Sequence, residues 1–272
     1  MPLRLAAPAG RAIIPPVDAD VRFGGIERLY SPAALDRLRA ARVCIVGIGG
    51  VGSWAVEALA RSGVGRLTLV DLDDVCVSNV NRQLHALEGT VGRPKVEVMA
   101  ERARAINPTC ETRAITEFFS AATSDSILEG GFDFIIDCID NVPHKSLLIA
   151  LARDRQIPLV TTGAAGGRRN GLALRLADLS RTTHDALLAQ VRKRLRDQHG
   201  FPSEPDILFD VPCVFSPESP ARPVDCAPKA NLRLDCRSGY GTASFVTGAF
   251  GLAAAGYVVN TLAGAAEEVR TK

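Results

Sequence analysis

Glycines 47, 49, 50 and 52 sit in Gly47-Ile48-Gly49-Gly50-Val51-Gly52-Ser53, between the apolar run Val43-Cys44-Ile45-Val46 and a helical pattern. A turn of this kind, joining a buried strand to a helix N-terminus, offers free backbone N–H groups to a phosphate. Glycine is required because the turn is tight and the phosphates come too close to the main chain for side chains. A second strand pattern, Leu67 to Asp71, ends in a carboxylate 19 residues past Gly52. An acid in that place commonly binds ribose hydroxyls. These features serve NAD and ATP equally well. The residues that separate the two follow: Asn79, Arg82 and Gln83, then Lys95, then Asp137-Cys138-Ile139-Asp140-Asn141.

A nicotinamide enzyme has no need of that set, whereas attack on an α-phosphate does. Charge then spreads over phosphoryl oxygens as pyrophosphate leaves, and cations must face it. Arg82 offers a planar fork and Lys95 a compact point charge. Asn79 and Gln83 can hydrogen-bond without adding charge. Asp140 falls where a strand over Phe132 to Cys138 would reach its carboxyl end, the edge at which open α/β sheets bind ligands. A carboxylate facing a triphosphate there makes sense mainly as a magnesium ligand.

The elements that would position these groups alternate. Strands are expected near 42–47, 67–71, 112–116, 132–138 and 158–162, and helices near 52–62, 94–106 and 142–155. This order implies an α/β fold, a doubly wound, mostly parallel Rossmann-like sheet. Ser31-Pro32 reads as an N-cap followed by proline at the first helical position, with Leu35 and Leu38 on the apolar face. Residues 1–20, with four prolines and no signal-peptide stretch, read as a flexible arm. Residues 21–272 read as one domain: a nucleotide core over about 42–165, a loop-rich substrate or lid region over about 166–240, and an apolar helix over about 241–266. Seven of the sixteen prolines lie between 202 and 228, which marks an irregular excursion whose strand-like piece is Ile207 to Phe215.

The chain has 272 residues, 47% of them hydrophobic, and a formal net charge of +2, which neither demands nor excludes a nucleic-acid partner. Its seven cysteines form no Cys-x-x-Cys pair, and several fall in apolar strand patterns. A disulfide framework is therefore not expected.

With these motifs in this order, the chain resembles the superfamily of ATP-dependent carboxylate-adenylating enzymes that includes the activating enzymes of ubiquitin-like proteins and the ThiF, MoeB and HesA proteins. Within it, Arg22 to Tyr30, Asn81-Arg82-Gln83-Leu84-His85-Ala86-Leu87, Pro158 to Gly167, Cys213-Val214-Phe215-Ser216 and Leu234 to Gly241 resemble the tRNA threonylcarbamoyladenosine dehydratases. The resemblance implies ATP on the Gly47 to Gly52 loop, ribose on Asp71, phosphates among Asn79, Arg82, Gln83 and Lys95, and Mg2+ on Asp140. It implies a tRNA substrate carrying threonylcarbamoyladenosine. The threonyl carboxylate would be adenylated, and internal attack would close a ring with net loss of water. The alternative is adenylation of the C-terminus of a ubiquitin-like or sulfur-carrier protein, but the zinc-binding cysteine pairs of many such relatives are absent. A non-catalytic nucleotide-binding adaptor is a third reading, opposed by the joint presence of Arg82, Lys95 and Asp140.

The resemblance further implies a homodimer, an arginine from the N-terminal segment set against the triphosphate, a cytoplasmic location and a link to a cysteine-desulfurase sulfur-acceptor system. Where many relatives carry that arginine this chain has Gly25, which leaves Arg22 and Arg28 as donors. Arg192, Lys193, Arg194 and Arg196 on a helical segment from His184 to His199, with Arg168 and Arg169, form either a tRNA phosphate contact or a solvated face. Cys213, Cys226 or Cys236 could accept an acyl group, although ring closure within the substrate requires no thioester. The uncharged stretch from Ser238 to Ala266 is long enough to span a bilayer, but its glycines suit a buried helix better, and membrane association through 241–266 is the less favoured reading.

Overall fold

Both faces of strand β1 (Arg42–Val46) are apolar: Val43 and Ile45 join one core, Cys44 and Val46 another. A strand buried on both sides belongs inside a sheet covered by helices on each face. The structure, a computed structural model describing residues 19–221 and 240–265, places it there. The sheet contains β1, β2 (Arg66–Val70), β3 (Glu111–Ile115), β4 (Phe134–Asp137), β5 (Leu159–Thr162), β6 (Arg175–Asp178) and β7 (Pro212–Phe215). Their order is β3-β2-β1-β4-β5-β7-β6, parallel throughout except for β6, which runs antiparallel to β7. The winding reverses between β1 and β4, which opens a crevice at their carboxyl ends.

The helices are α1 (Ala19–Tyr30), α2 (Pro32–Ala40), α3 (Gly52–Arg61), α4 (Lys95–Ile106), α5 (Ser124–Leu128), α6 (Val142–Asp154), α7 (Ala186–His199) and α8 (Ser244–Leu262). Helices α3, α4 and α8 bury their apolar sides with Leu67, Leu69, Phe134 and Ile136 on one face of the sheet. Helices α5, α6 and α7 pack with Ile135, Leu159 and Cys213 on the other. All five expected strands and the three expected helices form within two residues of their expected ends. Ser31 caps α2 by accepting the Ala34 N–H at 3.2 Å.

Three segments depart from expectation. The helix α1 carries Gly24 and Gly25 at its middle, which weakens any local helix signal. It is held by tertiary contact, with Phe23 packed against Gly63 and Leu35 and the Arg22 guanidinium donating to the Ile106 carbonyl at 2.7 Å. The edge strand β6 is four residues long and largely exposed, so it has no apolar alternation to read. Of the strand-like piece Ile207 to Phe215 only the last four residues pair. Asp178 accepts the N–H groups of Phe209 and Val211 at 3.0 and 2.9 Å, and Asp210 adopts a φ of 56°, so a carboxylate satisfies the donors a ladder would have used. Cys226, Cys236, most of Leu234 to Gly241 and most of the 1–20 arm lie outside the described residues.

Helix α8 is apolar and long enough to cross a membrane by length and composition, with mean hydropathy 1.4, yet half of that window is buried inside the fold. It packs on α3, where glycine permits close approach: a Cβ on Gly251 would lie 2.3 Å from the Val51 carbonyl oxygen and 2.8 Å from the Trp54 Cβ. Gly256, five residues on, has nothing within 4 Å. Gly251→Ala is therefore expected to lower the unfolding free energy by about 1–3 kcal/mol through overpacking. Gly256→Ala should raise it by about 0.5–1 kcal/mol through helix propensity. Urea midpoints of the two variants check the contrast.

Candidate active site

The glycine loop sits at the β1/β4 crevice, and its backbone is fixed from several sides. Gly47 has a φ of +92°, and a Cβ there would lie 2.8 Å from the Cys138 carbonyl oxygen. A Cβ on Gly52 would fall 1.9 Å from the Gly47 oxygen, so the loop closes only with glycine at both ends. The Ile48 N–H donates to Asp71 Oδ2 at 2.6 Å, and the Ile48 carbonyl faces His85 Nε2 at 2.9 Å. Val51 is the N-cap of α3 and provides no side-chain cap. The Ser53 N–H donates to the Gly49 carbonyl at 3.1 Å, and the remaining orphan N–H groups of the first turn are left for an anion.

After β2 the chain crosses above this loop. Asn79 is buried and accepts the Cys76 N–H at 3.0 Å, which closes a 3-10 turn over Val77–Asn79. The Arg82 carbonyl receives Trp54 Nε1 at 3.2 Å and Thr247 Oγ1 at 3.1 Å, tying the crossover to α3 and α8. The Arg82 guanidinium donates to the Ser78 carbonyl and to Asn81 Oδ1, at 2.6 and 3.0 Å. Lys95 opens α4, and its buried Nζ donates to Asp73 Oδ2 at 2.7 Å. Burial raises the pKa of Asp71, with the Lys95 charge opposing that shift.

The opposite wall rests on two buried ion pairs. Lys145 Nζ lies 3.0 Å from Asp137 Oδ2, both side chains fully buried, and donates to the Ile139 carbonyl at 3.0 Å. Asp137 Oδ1 accepts the Ile139 N–H at 3.0 Å and its Oδ2 the Thr161 hydroxyl at 2.7 Å. The Cys138 to Asp140 turn is thus held on both sides of Ile139, and Asp140 projects exposed at its end. Further along, Asp185 caps α7 and accepts the Ala164 N–H at 2.8 Å, while Arg168 pairs with Asp185 at 3.6 Å and donates to the His184 carbonyl at 2.8 Å. That pair fixes the strap from Gly163 to Gly166.

These walls enclose a cleft of about 870 Å³. Gly47, Gly49, Gly50, Asp71, Asn79, Arg82, Gln83, Lys95 and Asp140 all line it, and Gly52 stands behind the loop. Asn141, His144, the Gly163 to Gly166 strap, Tyr240 and Thr247 also line it. The remaining expected residues lie elsewhere. Arg22 and Arg28 are on α1, outside the cleft lining, with Arg22 bound to the C-terminal end of α4. Arg168 is 3% exposed and committed to its ion pair, so it does not form a surface contact as expected. Arg192 is half-buried and donates to Thr182 Oγ1 at 2.5 Å, and Arg196 lies over the Phe209 ring; the basic run is therefore not one free face. Arg169 is exposed, and Arg194 is half-buried. Cys213 is fully buried, which pushes its thiol pKa far up, against a nucleophilic role. Burial likewise pushes the Cys138 thiol to about 12.

Sequence reasoning gave no role to Asp73, Lys145 or Asp185, nor to Asp137, which it named only within the Asp137 to Asn141 motif. The one legible hint was Lys145, a charge placed among the apolar residues of a helix.

A glycine loop at a strand-order reversal, opposed by Arg82 and Lys95 and flanked by a free carboxylate, defines a doubly wound protein built to hold a phosphorylated ligand. The sequence model of the ThiF family matches residues 25–272, and the chain belongs to that family, in its tRNA threonylcarbamoyladenosine dehydratase branch. The tRNA threonylcarbamoyladenosine dehydratase of Haemophilus influenzae is 46% identical over 244 residues, 89% of this chain and 93% of that protein. The crystal structure of the Escherichia coli tRNA N6-threonylcarbamoyladenosine dehydratase, TcdA, in complex with ATP matches with a TM-score of 0.83 at 42% identity, covering 93% of this chain and 97% of that one. The molybdopterin-synthase adenylyltransferase of Salmonella typhimurium is 38% identical over 130 residues, 48% of this chain and 51% of that protein.

Lys145→Met would leave the Asp137 carboxylate buried and unpaired, and is expected to cost about 3–5 kcal/mol of stability. Asp137→Asn combined with Lys145→Met should recover much of that loss. Denaturant unfolding of the single and double variants measures both.

Proposed function

We propose that the protein uses ATP to activate the threonyl carboxylate of N6-threonylcarbamoyladenosine beside the tRNA anticodon, and that internal attack then closes a ring. The carboxylate oxygen bonds to the α-phosphorus as pyrophosphate leaves. A nucleophilic nitrogen or oxygen of the same modified nucleoside then bonds to the acyl carbon, and AMP departs with the original carboxylate oxygen. The substrate loses one water, taken up in converting ATP to AMP and pyrophosphate. The observation that carries the reading is the single cleft into which the phosphate loop, Arg82, Lys95 and Asp140 converge. The near full-length similarity to dehydratases, against partial coverage of the carrier-activating relative, favours it over carrier adenylation.

In this reading the loop N–H groups hold the phosphates and Asp71 receives ribose hydroxyls on lone pairs left by Ile48 and Asp73. Arg82 and Lys95 stand against the charge that develops at the α-phosphate, worth a few kcal/mol per group in a preorganised site. Asp140 suits Mg2+, which binds through one or two carboxylates plus phosphate oxygens and would supply charge neutralisation on the triphosphate. The cyclising nucleophile is already beside the acyl carbon, so proximity supplies much of the second step.

Because neither Arg22 nor Arg28 lines the cleft of its own chain, an arginine from α1 would act across a homodimer. The exposed Arg169 after the strap and Arg194 on α7, whose Leu187 lines the cleft, would meet tRNA phosphates. We place the protein in the cytoplasm, with α8 as a core helix.

Incubation with magnesium-ATP and threonylcarbamoylated tRNA should give AMP, pyrophosphate and a nucleoside lighter by one water. An unchanged nucleoside, with pyrophosphate exchange only on adding a carrier protein, overturns the reading. Arg82→Ala and Lys95→Ala should each lower kcat by about 10²–10³-fold. Arg169→Glu with Arg194→Glu should weaken tRNA binding, most at low salt, while ATP binding holds. Light scattering should return the mass of a dimer.

A further inference from the structure

His85 is fully enclosed, does not line the cleft, and takes no part in the chemistry above. Its Nε2 faces the Ile48 carbonyl at 2.9 Å. A carbonyl only accepts, so Nε2 carries the proton and Nδ1 is the bare nitrogen. Burial lowers the pKa to about 4, which keeps the ring neutral and fixes that assignment at neutral pH. Nδ1 has no hydrogen-bond partner among the described residues. A buried acceptor without a partner costs free energy that a leucine in the same space would not. Packing alone therefore does not account for a histidine here, and the one hydrogen bond it makes is what distinguishes it.

That bond acts on the phosphate loop. Every described peptide is trans, and in a planar trans peptide the C=O and the following N–H point in opposite directions. With the Ile48 carbonyl turned inward to His85, the Gly49 N–H turns outward to the cleft that Gly49 lines. The preceding peptide is fixed separately, because its Ile48 N–H is held by Asp71 at 2.6 Å. Glycine at 49 gives this peptide a freedom to rotate that a residue with a side chain would not. The arrangement leaves His85 as the only described side chain gripping the carbonyl side of that unit.

We propose that His85 is a positioning residue that orients the Ile48–Gly49 peptide so that the Gly49 N–H is presented to a phosphate of the nucleotide. The assignment rests on the ATP-binding reading above. It separates phosphate binding from nucleoside binding, because the adenosine part of the ligand makes no demand on this peptide.

The test compares ATP and adenosine as ligands of the native protein, His85→Leu and His85→Gln by titration calorimetry, with thermal unfolding of each recorded in parallel. His85→Leu fills the space without a donor, and His85→Gln restores an amide donor at similar reach. His85→Leu should bind ATP about tenfold more weakly, the scale of one lost positioned hydrogen bond, with adenosine affinity unchanged. His85→Gln should recover most of the ATP affinity. Unchanged ATP affinity in a folded His85→Leu, or equal losses for ATP and adenosine, overturns the assignment, as does His85→Gln binding ATP no better than His85→Leu. If the native protein itself fails to bind ATP, the functional reading is what falls, and the assignment with it.

Discussion

Backbone groups at the carboxyl edge of a parallel sheet must serve two demands: they need partners because they are buried, and some must stay free because they hold the ligand. Here aspartates meet the first demand so that the second can be met. Asp71 takes the Ile48 N–H, Asp137 the Ile139 N–H and Asp185 the Ala164 N–H, in three of the loops that line the cleft. Each carboxylate has a cation near it: Lys95 acts on Asp71, Lys145 pairs with Asp137, and Arg168 with Asp185. Such pairs add little net stability over apolar packing, but a half-removed pair is costly. What they contribute here is definition: a loop whose donors are committed in a fixed pattern presents its remaining donors in a fixed pattern too.

The same economy governs the charges that face the ligand. The Arg82 guanidinium is held by a carbonyl and an amide oxygen, with no carboxylate partner among the described residues. A phosphate arriving at Arg82 therefore displaces neutral acceptors and breaks no ion pair. Lys95 differs, since Asp73 already holds its Nζ, but Asp73 is 57% exposed and can be solvated when the ammonium turns to an anion. The two cations thus enter the cleft with different costs, Arg82 nearly free and Lys95 shared.

Features fixed by local pattern were legible in the sequence. The alternation of strands and helices follows from hydrophobic periodicity, and the meeting of the glycine loop, Asp71, Arg82, Lys95 and Asp140 in one cleft follows from the place of each at or just beyond a strand's carboxyl end or in the segments between. What escaped is set by contacts distant in sequence. Helix α1 carries two central glycines and exists because Phe23 reaches Gly63 and Leu35. Strand β6 is too short and exposed to show a period, and Asp178 delays the start of the strand in the Ile207 to Phe215 segment by capturing two N–H groups from 31 and 33 residues away. Arg168 looked like part of a surface patch in a basic sequence run, and only Asp185, brought beside it by the strap, turns it inward. Charge runs in a sequence carry no information on which members are already paired.

Burial also bears on the two ways an adenylate can be used. Transfer to an enzyme thiol requires a thiolate that water or a base can reach. Among the described cysteines, Cys44 and Cys213 are wholly buried with thiol pKa values pushed far up, and Cys138, though it lines the cleft, is raised to about 12 by burial with Lys145 opposing only in part. Lys145 favours the thiolate there and Asp137 opposes it, but burial outweighs the cation. Cys76 is exposed but does not line the cleft, so the one described cysteine that an acyl-adenylate would meet there is Cys138, held as its thiol, which agrees with ring closure within one nucleoside.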